Sequence, residues 1–87
     1  MKYRYWLSSH AERYLRRVEP TRQQQLTRRI HLLCDDPYDT GISKLLHGEN
    51  GMRSSRVGSL RILYTVDDEV RVVEIAEIGP RGDIYRS

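Results

Sequence analysis

The sequence predicts an α+β domain of order β-α-α-β-β-β, a small antiparallel sheet with a helical hairpin packed on one face. Three observations carry this reading. A short aromatic alternation opens the chain, two stretches of helical periodicity follow, and β-branched runs separated by turn residues fill the second half. At 87 residues the chain is expected to form one domain with a single modest core.

Residues 3–7 set Tyr3, Tyr5 and Leu7 against Arg4 and Trp6, a strand pattern. Ser9-His10-Ala11-Glu12 has the spacing of a capping box, and Ala11, Tyr14, Leu15 and Val18 recur at helical intervals, giving a helix to about residue 18. Pro20 is excluded from a helix interior but suits a helix start, so a second helix begins there. Its apolar stripe is Leu26, Ile30, Leu33 and Cys34, with Arg22, Arg28 and Arg29 projecting elsewhere, and it stops at Asp35-Asp36-Pro37. So short a link makes the two helices an antiparallel hairpin. Residues 37–51 hold Gly41, Gly48 and Gly51 and no sustained period; they read as a loop around a Lys44-Leu45-Leu46 anchor.

Strands are expected over residues 52–57, 60–66 and 70–75, joined by turns at Gly58-Ser59 and Asp67-Asp68-Glu69. The last two carry apolar residues on both faces (Ile62 and Leu63; Val72 and Val73), so something must shelter part of the second face, either the tail after Gly79 or a partner. Phe is absent, and Trp6, Leu63 and Tyr64 are the natural core candidates.

The net charge of +3 is distributed in blocks: +6 over residues 1–34, −3 over 35–51, +3 over 52–66 and −3 over 67–87. Thirteen of the fifteen bases are Arg, whose planar fork suits phosphate oxygens and base stacking; the alternative for the helix arginines is a solvated face. Cys34 is the only cysteine, which excludes a disulfide within the chain, and its place in an apolar stripe makes it a core residue. No stretch approaches a membrane span, and the start has no apolar signal segment; a soluble, reducing, cytoplasmic setting is expected.

His10, His31 and His47 show no ligand spacing with one another, with Cys34 or with the carboxylates, so neither metal nor cofactor is expected. No nucleophile-elbow glycine pattern supports a Ser-His-Asp arrangement. The concentrated chemical signal is basic. Arg53, Arg56 and Arg61 lie in or beside the hairpin of residues 52–66, and the tight turn between Arg56 and Arg61 can bring those two together across adjacent strands. Arg81 follows Gly79-Pro80 after the last strand, with Tyr85 and Arg86 behind it. Guanidiniums and a phenol on one sheet face would suit an RNA phosphate and a stacked base. The alternative for Arg53 and Arg71 is a solvent-facing strand charge pairing with Glu74 or Glu77.

The run Lys44-Leu45-Leu46-His47-Gly48, then Arg56-Val57-Gly58-Ser59-Leu60-Arg61-Ile62-Leu63-Tyr64, resembles the RelE/ParE pattern of K-x-L-x-G followed by R-V-G-x-x-R, two apolar residues and Tyr. The ending Ile78-Gly79-Pro80-Arg81-Gly82-Asp83-Ile84-Tyr85 is similar to the family's, and the likeness covers nearly the whole chain. The resemblance implies the toxin of a type II toxin–antitoxin system. In the RelE branch it implies metal-independent cleavage of messenger RNA on the ribosome, the RNA's own 2′-hydroxyl attacking the adjacent phosphate. By position, Arg61 would hold the scissile phosphate, Arg81 would stabilise the developing charge or assist the leaving oxygen, and Tyr85 would stack on or orient the nucleotide. Arg53, Arg56 and Arg86 would bind RNA. Expected partners are a cognate antitoxin, the ribosome and its message, and, for the toxin–antitoxin complex, operator DNA.

One departure matters. RelE-type members often carry two basic residues at alternating positions before the Val-Gly turn; here the second is Arg56, while Ser54 occupies the first and Arg53 sits one place off the alternation. The general base is therefore unassigned, with His47 and Glu49 (besides Tyr85) as candidates. Two other functions compete: a ParE-type inhibitor of DNA gyrase without nuclease activity, and a small basic nucleic-acid-binding module.

Overall fold

The computed structural model describes residues 1–46 and 50–80. In chain order the elements are β1 (Arg4–Leu7), α1 (Ser9–Arg17), α2 (Pro20–Asp35), β2 (Lys44–Leu45), β3 (Arg53–Val57), β4 (Leu60–Asp67) and β5 (Val72–Pro80). The five strands form one sheet in the order β1-β5-β4-β3-β2. The α+β order holds, with a two-residue strand at the Lys44-Leu45 anchor.

The sheet is mixed rather than antiparallel throughout. β2, β3, β4 and β5 pair antiparallel with their neighbours, but β1 lies parallel to β5 with Arg4 opposite Val72 and Leu7 opposite Ile75. The reason is connectivity: β3, β4 and β5 are joined by short turns that force reversal, whereas two helices follow β1 and free its direction.

Local chemistry explains most boundaries. α1 begins one residue earlier than the capping-box reading: Ser8 is the N-cap and its Oγ accepts from the Ala11 N–H at 3.1 Å, while Glu12 sits in the first turn. Pro20 opens α2, and Asp36-Pro37 follows its end. Gly58 has φ +62° at the first position of the two-residue turn between β3 and β4, as a type II′ hairpin requires. β5 starts at Val72 and runs to Pro80, later and longer than the expected 70–75. Its register against β4 jumps between Leu63–Glu77 and Tyr64–Ile75, so Ala76 is the extra residue of a β-bulge.

The helices cover the sheet face formed by Val57, Leu60, Ile62, Tyr64, Val73, Ile75 and Ile78, and Leu26, Ile30, Leu33 and Cys34 close the core from α2. Each fully buried aliphatic side chain contributes about 1.5–3 kcal/mol. Burial also pushes the Cys34 thiol up, as befits a core cysteine. Trp6, expected in the core, is instead 59 % exposed, because it shares the outer face with Arg4 while Tyr5 and Leu7 take the inner one. On that outer face Leu63 is buried and Val72 half-buried. The tail proposed as its shelter lies, beyond Pro80, outside the described residues.

A polar clasp joins three distant segments. Asp68, in the turn between β4 and β5, accepts hydrogen bonds from Tyr3 Oη at 2.6 Å and Tyr38 Oη at 2.5 Å. Arg71, at φ +58°, lays its guanidinium 5.4 Å from the Tyr3 ring centre.

Candidate functional site

The outer face of the β3–β4 hairpin places the arginines that the sequence singles out. Arg56 and Arg61 are directly opposite in the register, so both side chains leave the same face. Arg56 is exposed, whereas Arg61 is 3 % exposed and its Nη1 donates to Ser54 Oγ at 3.2 Å. β5 ends beside them: Gly79 pairs with Arg61 and Pro80 with Leu60.

Arg53 does not join this pair. The pleat turns it to the inner face opposite Tyr64, where its Nε donates to Tyr64 Oη at 3.3 Å and its Nη2 to Ser43 Oγ at 3.0 Å. Its guanidinium also stands 5.4 Å from the Tyr38 ring centre, and the residue is 9 % exposed. Tyr64 Oη in turn donates to the Pro37 carbonyl at 2.6 Å, and Ser55 Oγ to the Ile42 carbonyl at 2.7 Å. These bonds fasten the loop between α2 and β2 to the inner face of β3 and β4. Arg81, Tyr85 and Arg86, with the base candidates His47 and Glu49, lie outside the described residues.

Arg56 and Arg61 open onto a pocket of about 400 Å³. Arg29 from α2, Lys44 from β2, Ser54 and the 40–43 loop complete its described wall. Four cations and no carboxylate line it among the described residues, so its field favours an anion. The sequence alone allows Arg29 a solvated helix face, yet it borders the Leu26–Leu33 stripe on the same side as Arg22, seven residues and about two turns earlier. Both reach the hairpin: Arg22 Nη1 lies 3.4 Å from Ser59 Oγ, and Arg29 Nη1 donates to Ser55 Oγ and to the Arg56 carbonyl. Position beside the apolar stripe, rather than opposite it, was the available signal. His10 and His31 are exposed on the helices, and among the described residues no three His, Cys, Asp or Glu side chains gather as a metal site.

Comparison with solved structures places the fold beside known ones. The RelBE2 toxin–antitoxin complex of Mycobacterium tuberculosis contains a chain 28 % identical at a TM-score of 0.79, with 93 % of this chain and 100 % of that one covered. The archaeal RelE–RelB complex of Pyrococcus horikoshii matches at 21 % identity and TM-score 0.80, covering 95 % and 99 % of the two chains. The intact RelBE complex of Escherichia coli matches at 22 % and 0.79, covering 90 % and 95 %. The last two likenesses establish the fold alone. Among curated proteins, none matches the sequence. The family model for the ParE toxin of the type II toxin–antitoxin system parDE matches residues 6–85. With that match spanning nearly the whole chain, the protein belongs to the ParE toxin family of type II toxin–antitoxin systems, within the RelE/ParE superfamily.

Proposed function

We propose that this toxin is a ribosome-dependent endoribonuclease that cuts messenger RNA. The observation that carries the reading is the Arg56–Arg61 pair on the outer face of one hairpin, opening into a cationic pocket without a carboxylate among its described residues. In the reaction the RNA 2′-oxygen gives up its proton and forms a bond to the adjacent phosphorus, the bond to the 5′-oxygen breaks, and that oxygen takes a proton from water, leaving a 2′,3′-cyclic phosphate and a 5′-hydroxyl. Arg61, held by Ser54 in a site of low exposure, grips the scissile phosphate, where a preorganised guanidinium is worth more than in water. Arg56 binds the backbone at the pocket mouth. Arg81 neutralises charge on the phosphorane or leaving oxygen, Tyr85 stacks on the nucleotide, Arg86 adds a backbone contact, and His47 or Glu49 takes the 2′-proton. No step calls for a metal ion.

A cognate antitoxin covers the basic outer face in this reading, supported by the toxin–antitoxin complexes among the similar structures. A second reading, inhibition of DNA gyrase by binding alone, is favoured by the ParE family match. One paired assay separates them. Purified chain added to programmed ribosomes should cleave the bound message, and Arg61→Ala should lose about 10²–10³-fold in rate with folding intact, the usual effect of removing one transition-state donor. Intact message together with blocked gyrase supercoiling would replace the nuclease reading with the second.

A further inference from the structure

The sheet edge farthest from the cationic pocket is formed by β1. It stands last in the strand order and pairs only with β5, so among the described residues no strand lies against its far side. Hydrogen bonds fix which backbone groups stand open there. The Arg4 N–H donates to the Arg71 carbonyl and the Ser8 N–H to the Ile75 carbonyl, both at 2.9 Å, so the even-numbered residues direct their backbone groups at β5. Alternation turns those of Tyr3, Tyr5 and Leu7 outward. The Tyr3 N–H is taken by the Cys34 carbonyl at 2.9 Å, which leaves Tyr5 and Leu7 as the open stretch. Edge strands are commonly guarded by several charges, a Pro or a bulge; β1 has Arg4 alone, and its Trp6 is 59 % exposed. Trp6, Val70 and Val72, flanked by Arg4 and Glu74, line a groove of about 400 Å³ beside this edge.

We propose that β1 is the joint of a homodimer, in which two copies pair their β1 strands antiparallel about a two-fold axis and continue the sheet from one molecule into the other. The proposal is independent of the nuclease reading. The open backbone groups select the register. When Tyr5 of each copy pairs with Leu7 of the other, every open N–H and C=O of the two residues finds a partner, and Trp6 falls opposite Trp6 on the axis. A register centred on Tyr5 would instead set Leu7 against Tyr3, whose N–H the Cys34 carbonyl already holds. Charge selects a second copy over another strand. Arg4 and Glu74 lie on the same outer face, Arg4 has no hydrogen bond or ion pair among the described residues, and Glu74 accepts only from Thr65 Oγ1 at 3.2 Å. Across the axis Arg4 lies diagonal to Trp6 of the second copy, with that copy's Glu74 on the far side of the indole. Strand spacing and rise put the Cα atoms of Arg4 and that Glu74 about 12 Å apart. The two side chains close this span over the indole, giving the guanidinium a ring face and a carboxylate. Symmetry makes the contact twice. A uniformly acidic strand would suit Arg4 but repel Glu74, whereas a patch carrying one charge of each sign complements its own copy.

Sedimentation velocity of the purified chain across micromolar concentrations tests this. The wild type should pass from the 10.3 kDa monomer to a species of twice that mass as concentration rises. Trp6→Ala should raise the dimer dissociation constant about 30-fold or more, the effect of truncating a hot-spot aromatic. Arg4→Glu and Glu74→Arg should each favour the monomer, because like charges then face each other across the axis, and the Arg4→Glu/Glu74→Arg double variant should recover the dimer. All three side chains are exposed, so each variant should keep its fold, and recovery in the double variant is a result that misfolding cannot produce. A wild type that stays monomeric overturns the proposal; if Trp6→Ala then weakens capture of the cognate antitoxin, the edge belongs to that partner. A dimer that Trp6→Ala and both charge reversals leave unchanged is built elsewhere and overturns it as well. Loss in both single reversals without recovery in the double variant overturns the Arg4–Glu74 pairing on which the choice of a second copy rests.

Discussion

Arg53 and Arg61 are eight residues apart on neighbouring strands, and both are buried, yet they lie on opposite faces of the sheet. The period of two decides this: Ser54 and Arg56 share the outer face, and Arg53 must take the inner one. There its partners are a phenol, a hydroxyl and an aromatic ring, all belonging to the packing of the 37–43 loop. Arg53→Ala is therefore expected to cost about 1–3 kcal/mol of folding stability, as the removal of buried hydrogen bonds does, while the salt slope of RNA binding stays at the wild-type value. Urea unfolding and RNA binding across a salt series together check it; a lowered slope at unchanged stability would return Arg53 to the RNA face. The Arg56–Arg61 juxtaposition was legible because a tight turn fixes which residues oppose each other. Arg29 was harder, since a helix arginine beside the apolar stripe looks like a solvated one until the hairpin it reaches is known. Trp6 shows the converse error: bulk and apolarity argue for burial, but alternation with Tyr5 and Leu7 assigns it to the face without helices.

Among the elements, α1 and β5 meet through Ser8. Its Oγ accepts from the Ala11 N–H, capping α1, and donates to the Ala76 carbonyl at 2.6 Å, the extra residue of the bulge. One hydroxyl thus satisfies a free helix donor and a strand acceptor that the bulge removes from the ladder. Ser8→Ala should cost about 1–2 kcal/mol, the upper part of the usual range for a cap, whereas Ser9→Ala, inside the first turn, should change stability by less than about 0.5 kcal/mol. Thermal or urea unfolding of the two variants distinguishes them, and equal effects would reject Ser8 as the cap. The bulge also explains where strand reading stopped. With Ala76 inserted, the inward residues Ile75 and Ile78 are three apart, a spacing that alternation does not recognise. β2 escaped for a different reason: two residues carry no period, and their pairing with β3 is a tertiary fact.

Across the whole molecule the Asp68 clasp ties the amino terminus, the loop after α2 and the turn between β4 and β5, segments that no turn or helix connects directly. Its ionisation gives stability a definite pH dependence. The phenols of Tyr3 and Tyr38 donate to the Asp68 carboxylate and hold it below the usual carboxylate range. The same bonds raise Tyr3 and push Tyr38 up to about 12. On the acid side, a carboxyl with a depressed folded value contributes stability that is complete above its unfolded value near ~3.9 and is lost as pH falls through the folded one. On the alkaline side, a phenol with a raised folded value contributes stability that is complete below its unfolded value of about 10 and is lost as pH rises through the folded one. Wild type should therefore exceed Asp68→Asn in urea midpoint by a constant margin at neutral pH. That margin should shrink below about pH 4 and again between about pH 10 and pH 12. A margin unchanged across the alkaline window would mean that the phenols do not depend on Asp68, and that the loop carrying Tyr38 is held to the sheet by Arg53, Tyr64 and Ser55 alone.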